Sequence, residues 1–190
     1  MTDHVPDWAP FDPGAPPELP RGADGDGRVV ALVASRTLAR APWTGEAAAS
    51  LARTWATGGL RVVLADAGLE RPTLHEVFGV RNEEGLSDAV LWGASVQRVA
   101  RPLPRDGFYV VTSGTPVPDG AAVFATERWG QLCVGFREAG VTLVALVPDG
   151  APGWESVVAA ATDVFILSER ADDVREAASR GGDRVRGVFG

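Results

Sequence analysis

The chain has 190 residues, with 25 Asp and Glu against 18 basic side chains and a net charge of −7. That balance excludes nucleic acid as the main partner, because binding a phosphate backbone needs a concentrated basic face. The length fits one domain with one core, and no apolar run approaches the roughly 18 residues of a membrane span; nor does the amino-terminal MTDHVPDWAPFDPG resemble a signal peptide, so a cytoplasmic protein is expected.

Residues 1–27 concentrate prolines and end in GADGDG, and are read as a flexible leader in which only Trp8 and Phe11 could dock on the domain or a partner. Residues 28–190 form the second unit. VVALVA (29–34) is a continuous apolar strand, followed by a helix from Thr44 or Gly45 to Thr57 that stops at Gly58-Gly59. RVVLAD (61–66) is the next strand and carries Asp66 at its carboxyl edge, where open α/β sheets place their ligand-handling groups. Pro72 suits a first helical position ahead of Leu74, Val77 and Phe78, and GLSDAVLWG (85–93) gives another helix. FYVVT (108–112), VTLVALV (141–147) and DVFIL (163–167) are further core strands. Helices are expected over 121–139, 154–161 and about 171–180, and VRGVFG closes the chain as a last strand. Alternating strands and helices imply a mostly parallel α/β sheet with helices on both faces and right-handed crossovers.

Side chains suited to chemistry are few. Cys133, the single cysteine, reads as a small buried hydrophobe, and two histidines, His4 and His75, supply no metal cluster. Every one of the 18 basic residues is arginine, so the chain has no lysine.

RVVLADAGLERPTLHEVFGVRNEEGLSDAVLWG resembles the bacterial tyrosine kinases of capsule and exopolysaccharide synthesis, members of the deviant P-loop group that includes chromosome-partition and cell-division ATPases. Asp66, Gly68, Pro72, His75 and Gly85 to Asp88 carry the likeness. FYVVTSGTPVPDGAAVF matches the following strand and loop, and the order of elements extends the resemblance over residues 28–190. It implies a P-loop NTPase-like fold.

The resemblance also shows what is replaced. A P-loop uses glycines for close backbone approach to phosphate, a lysine for the β and γ phosphates, and a Ser or Thr for magnesium. Counted back from Asp66 without gaps, these positions fall on Trp43, Thr44 and Gly45. The second acid of the acidic turn is Gly68, and Leu146 stands where the family places a metal-linked aspartate. Tyr109, the single tyrosine, is expected inside a core strand rather than in a carboxyl-terminal acceptor cluster, and the family's ring-forming helix is not evident. Thr44, Gly45 and Asp66 are thus vestigial cofactor-binding positions, with no catalytic residue, metal ligand or cofactor assigned. Trp43 and Trp154 are expected to fill the former nucleotide pocket, and the arginine-rich carboxyl end (Arg170 to Arg186) to be a solvated helix face.

The reading that follows is a catalytically degenerate relative with a regulatory or scaffold role in exopolysaccharide or capsule synthesis or export. Its expected partner is the cytosolic part of a membrane polysaccharide co-polymerase or an active kinase paralogue, which would hold it peripherally at the inner membrane. Homo-oligomerisation is left open. The alternative is an atypical ATP- and magnesium-using kinase or ATPase that employs Arg36 or Arg40 with Asp149.

Overall fold

A computed structural model describes residues 6–19, 27–39, 41–170 and 175–190. Its strands are β1 (Trp8–Ala9), β2 (Arg28–Ala34), β3 (Arg61–Asp66), β4 (Arg101–Leu103), β5 (Phe108–Val111), β6 (Val141–Pro148), β7 (Asp163–Leu167) and β8 (Val185–Phe189). They form one sheet in the order β1-β8-β7-β2-β6-β3-β5-β4, parallel throughout except for the antiparallel edge pair β4/β5. This is the doubly covered, mostly parallel sheet of P-loop NTPase-like proteins.

The helices are α1 (Pro42–Thr57), α2 (Leu74–Val77), α3 (Val96–Val99), α4 (Gly120–Phe124), α5 (Glu127–Glu138), α6 (Trp154–Ala160) and α7 (Arg175–Gly181), with a π-type turn at Asp88–Trp92. The unbroken apolar strands follow from burial on both faces. Along β2, Val30 and Leu32 join a core with Leu51, Trp55 and Leu74 under α1 and α2, while Val29, Ala31 and Val33 join Trp129, Phe136 and Val157 under the opposite helices.

Several local expectations shift. The helix expected over 121–139 breaks at Ala125–Thr126, where the Thr126 hydroxyl accepts from Trp129 N–H and caps α5. α2 starts two residues after Pro72, because the N–H groups of Thr73 and Leu74 are drawn to Asp66. Tyr109 is not enclosed: it is 50% exposed beside the three-residue edge strand β4.

The described part of the leader is seated on the domain. β1 extends the sheet alongside β8, Trp8 Nε1 donates to Ser168 O at 2.8 Å, and Phe11 meets Trp43 edge-on at 5.6 Å. Trp55 Nε1 and Ser50 Oγ donate to the carbonyls of Pro17 and Pro13, and Leu19 is buried. Residues 1–5 and 20–26 lie outside the described residues.

The carboxyl end also departs from a solvated face. Arg184 donates to the carbonyls of Val158, Ala161, Gly181 and Arg180, closing the ends of α6 and α7. Arg180 lies 5.3 Å above the Trp154 ring, and Arg186 reaches the buried Asp163 at 2.6 Å.

Candidate functional site

A cleft of about 600 Å3 opens at the carboxyl edge of β2, β3 and β6, lined by Arg36, Gly68, Glu70, Arg71, Asp149 and Gly150 among others. Open α/β sheets bind ligands at this edge. Three loops build it, and each has a local reason for its shape.

The first loop follows β2. The N–H groups of Leu38 and Ala39 both bond Ser35 O, and Ala41 N–H bonds Leu38 O, so the segment closes on itself. Leu38 is buried in the α1-side core and anchors that closure. Thr44 is buried in the first turn of α1, and its hydroxyl donates to Leu38 O at 2.5 Å. Gly45 faces α2: a Cβ there would collide with the Val77 side chain. Arg36 leaves the loop and lies against Gly150, which holds φ at +72°; a Cβ on that glycine would sit 2.6 Å from Arg36 Nη2.

The second loop follows β3. Asp66 is buried and accepts from Gly68 N–H (3.2 Å), Thr73 N–H (2.7 Å) and Leu74 N–H (2.8 Å). One carboxylate therefore folds the turn 67–73 and starts α2. Burial pushes its pKa up to about 6, against the downward pull of the three N–H donors and of His75. His75 is half-buried, and its Nδ1 has no partner among the described residues.

The third loop follows β6, where Asp149 N–H bonds Ala34 O and ties it to the end of β2. Asp149 Oδ1 is buried without a hydrogen-bond partner among the described residues. Burial raises its pKa; Arg36 opposes that rise, and Glu176 and Glu155 add to it. Leu146, where the resemblance places a metal-linked aspartate, is buried in the α1-side core.

Of the residues singled out in the sequence, the structure brings Arg36, Gly68 and Asp149 to one cleft, whereas Thr44, Gly45 and Asp66 do not line it. Arg40 lies outside the described residues. The two tryptophans do not fill the cleft: Trp43 packs on the α1 face with Phe11, and Trp154 on the opposite face with α6. Cys133 is buried, its thiol pushed up to about 12 by burial, which makes it inert. No group of three or more His, Cys, Asp or Glu among the described residues is placed to hold a metal ion. No helix among them is long and apolar enough to cross a membrane.

A polar network beside the cleft escaped the sequence reading. Asp88 accepts from Gly85 N–H (2.8 Å), Thr115 N–H (3.0 Å) and Thr115 Oγ1 (2.7 Å). Burial raises its pKa, but the Thr115 and Gly85 donors outweigh it and hold the carboxyl below its usual range. Asn82 accepts from Gly114 N–H and exchanges hydrogen bonds with Ser113. The turn 85–88 is thereby clamped to the end of β5. The GLSD order is the one signal that pointed there.

No family model matches the chain. Its sequence relatives are bacterial tyrosine kinases: the tyrosine-protein kinase YwqD of Bacillus subtilis is 34% identical over 82 residues, covering 43% of this chain and 34% of that protein. The chain therefore spans about a third of that curated relative. In fold it is similar to the kinase domain of Escherichia coli tyrosine kinase ETK, with a TM-score of 0.73 at 20% identity over 88% of this chain and 68% of that one. It is likewise similar to the septum site-determining protein MinD of Pyrococcus horikoshii, with a TM-score of 0.64 at 15% identity over 85% of this chain and 69% of that one.

Proposed function

From a chain whose relatives are bacterial tyrosine kinases and whose fold is that of their kinase domains, we propose a catalytically degenerate protein with a regulatory or scaffold role in exopolysaccharide or capsule synthesis or export. The observation that carries this reading is the loop after β2. Phosphoryl transfer rests on positioning and charge neutralisation, which in a P-loop come from backbone N–H groups, a lysine and a magnesium-binding hydroxyl. Here Leu38, Ala39 and Ala41 direct their N–H groups to the loop's own carbonyls, the Thr44 hydroxyl is committed to Leu38 O, and lysine is missing from the whole chain. Asp66, with three N–H donors, serves the fold of its turn rather than a metal or a water.

On this reading the retained scaffold binds a protein partner. The partner is the cytosolic part of a membrane polysaccharide co-polymerase or an active kinase paralogue, and the chain works in the cytoplasm against the inner membrane through it.

A second reading is favoured by one feature. Arg36, Arg71 and Asp149 converge on the cleft, so an atypical nucleotide site using an arginine in place of lysine has the right edge of the sheet, although a planar guanidinium is not an equivalent point charge. Calorimetric titration of the full chain with ATP and magnesium separates the two readings. The expected result is no binding up to millimolar nucleotide. Micromolar affinity abolished by Arg36→Ala would move the site to the second reading.

A further inference from the structure

Residues 6–19 lie on the domain as a bound peptide lies on a receptor, held largely by their main chain. Trp55 Nε1 donates to Pro17 O at 2.8 Å, Ser50 Oγ donates to Pro13 O at 3.0 Å, and Phe11 N–H donates to Gly190 O at 2.9 Å. A proline has no N–H, so its carbonyl is the one main-chain group a receptor can hold, and an indole or hydroxyl donor is suited to hold it.

The surface beneath is aromatic. Trp55 packs on Phe165 at 5.3 Å, Phe165 stacks on Phe189 at 6.4 Å, and Phe11 of the leader meets Trp43 and Phe189 edge-on at 5.6 and 6.3 Å. Leu19 is buried, and Pro16 and Pro17 are half-buried. The stretch APPELP (15–20) needs little ordering to fit, because each proline fixes its own φ and keeps the residue before it extended. Aromatic-lined grooves are how such preformed segments are recognised. The leader's own hold is slight, since β1 is two residues long and Trp8 stays 39% exposed. Segments with few buried contacts open first.

We propose that this α1 face is a receptor site for a proline-rich segment of a partner protein, occupied here by the chain's own leader as a displaceable stand-in. The leader shows the chemistry the occupant needs: an aromatic ring for the corner of Trp43 and Phe189, carbonyls presented to Ser50 and Trp55 by a proline-fixed backbone, and an aliphatic side chain at the Leu19 position. Lifting the leader alone would bare Trp43, Trp55 and Phe189 to water, so exchange replaces one such segment with another. The scaffold reading, on which this rests, makes the partner a protein. None of these residues lines the cleft, so the nucleotide titration and the test below succeed or fail separately.

Fluorescence anisotropy of a labelled peptide of residues 6–20, titrated with the full chain, tests this. In the parent chain the tethered leader, at an effective concentration of about a millimolar, should compete and weaken binding roughly tenfold or more relative to Trp8→Ala/Leu19→Ala, whose leader has lost its anchors. In that released variant, adding Ser50→Ala should weaken the peptide roughly fivefold, as the loss of one hydrogen bond does. A peptide keeping only Trp8, Phe11, Pro13, Pro16, Pro17 and Leu19, with serine elsewhere, should bind comparably, and one with alanine in place of Pro16 and Pro17 should bind more weakly. No binding to a released variant that still melts cooperatively, indifference to Ser50→Ala, or equal binding of the alanine peptide would each overturn the proposal. So would a released variant that has lost its cooperative melt, because the leader would then be part of the fold. Sedimentation showing a dimer of the parent chain that Leu19→Ala dissolves would assign the leader to a second copy and overturn it as well.

Discussion

Replacing Asp163 by alanine is expected to lower the unfolding free energy by roughly 3 kcal/mol, the low end of the range for stripping one partner from a buried ion pair. Asp163 opens β7 at the edge of the sheet opposite the cleft and is fully buried. It receives Arg28 Nη1 and Arg186 Nε at 2.6 Å each and the Thr162 hydroxyl at 2.9 Å. These contacts bind the starts of β2, β7 and β8 to one carboxylate. The low end applies because Arg28 and Arg186 keep side-chain exposures of 16% and 40% and can turn to water once Asp163 is gone. Burial raises the Asp163 pKa, but the two guanidinium groups and the hydroxyl outweigh it and hold it below the ordinary 3.8. Its contribution is therefore present above that pH and lost as pH falls below it. Denaturant midpoints near neutrality should show the loss for Asp163→Ala. A triple change of Asp163, Arg28 and Arg186 to apolar residues should recover much of it. A single variant as stable as the parent chain would show that the cluster holds nothing together.

The alternation of apolar runs with helical spacing placed the sheet, because strands buried on both faces advertise themselves in sequence: VVALVA, RVVLAD, VTLVALV and DVFIL all became central parallel strands. Long-range pairings did not advertise themselves. Asp163 and Arg28 lie 135 positions apart, and nothing in either neighbourhood signals the other. Trp8 reads only as an indole able to dock on the domain or a partner, because its strand pairing exists only once β8 is in place. FYVV reads as buried throughout, yet Tyr109 faces solvent, since exposure at a sheet margin depends on what covers that margin. At the cleft, the lack of lysine was legible at once, while the closure of the loop around Leu38 was not. A leucine within SRTLARAP gives no sign that it is the anchor.

Asp66 makes the strongest test of what the carboxyl edge of β3 does. Asp66→Ala would leave the N–H groups of Gly68, Thr73 and Leu74 without their acceptor, and at about 1 kcal/mol or more for each buried orphan the loss should reach roughly 3 kcal/mol. The pH dependence separates this role from that of a nucleotide-site carboxylate kept ionised by a metal. In the folded chain the Asp66 pKa stands at about 6, against 3.8 for an ordinary aspartate. Between those values the folded state holds a proton that the unfolded chain has released. The resulting stabilisation is full below the lower value and is lost as pH rises through the upper one, amounting to roughly 3 kcal/mol at about 1.4 kcal/mol per unit. Asp149, also raised, acts in the same direction, whereas Asp88 and Asp163, held low, act only at more acid pH. Stability should therefore peak in mildly acid solution and decline toward neutrality, and Asp66→Asn should flatten that decline. Equal denaturant midpoints for the parent chain on both sides of pH 6, or an unchanged slope in Asp66→Asn, would show that the carboxylate is ionised in the fold. The edge would then retain the anionic character that a magnesium-nucleotide site needs.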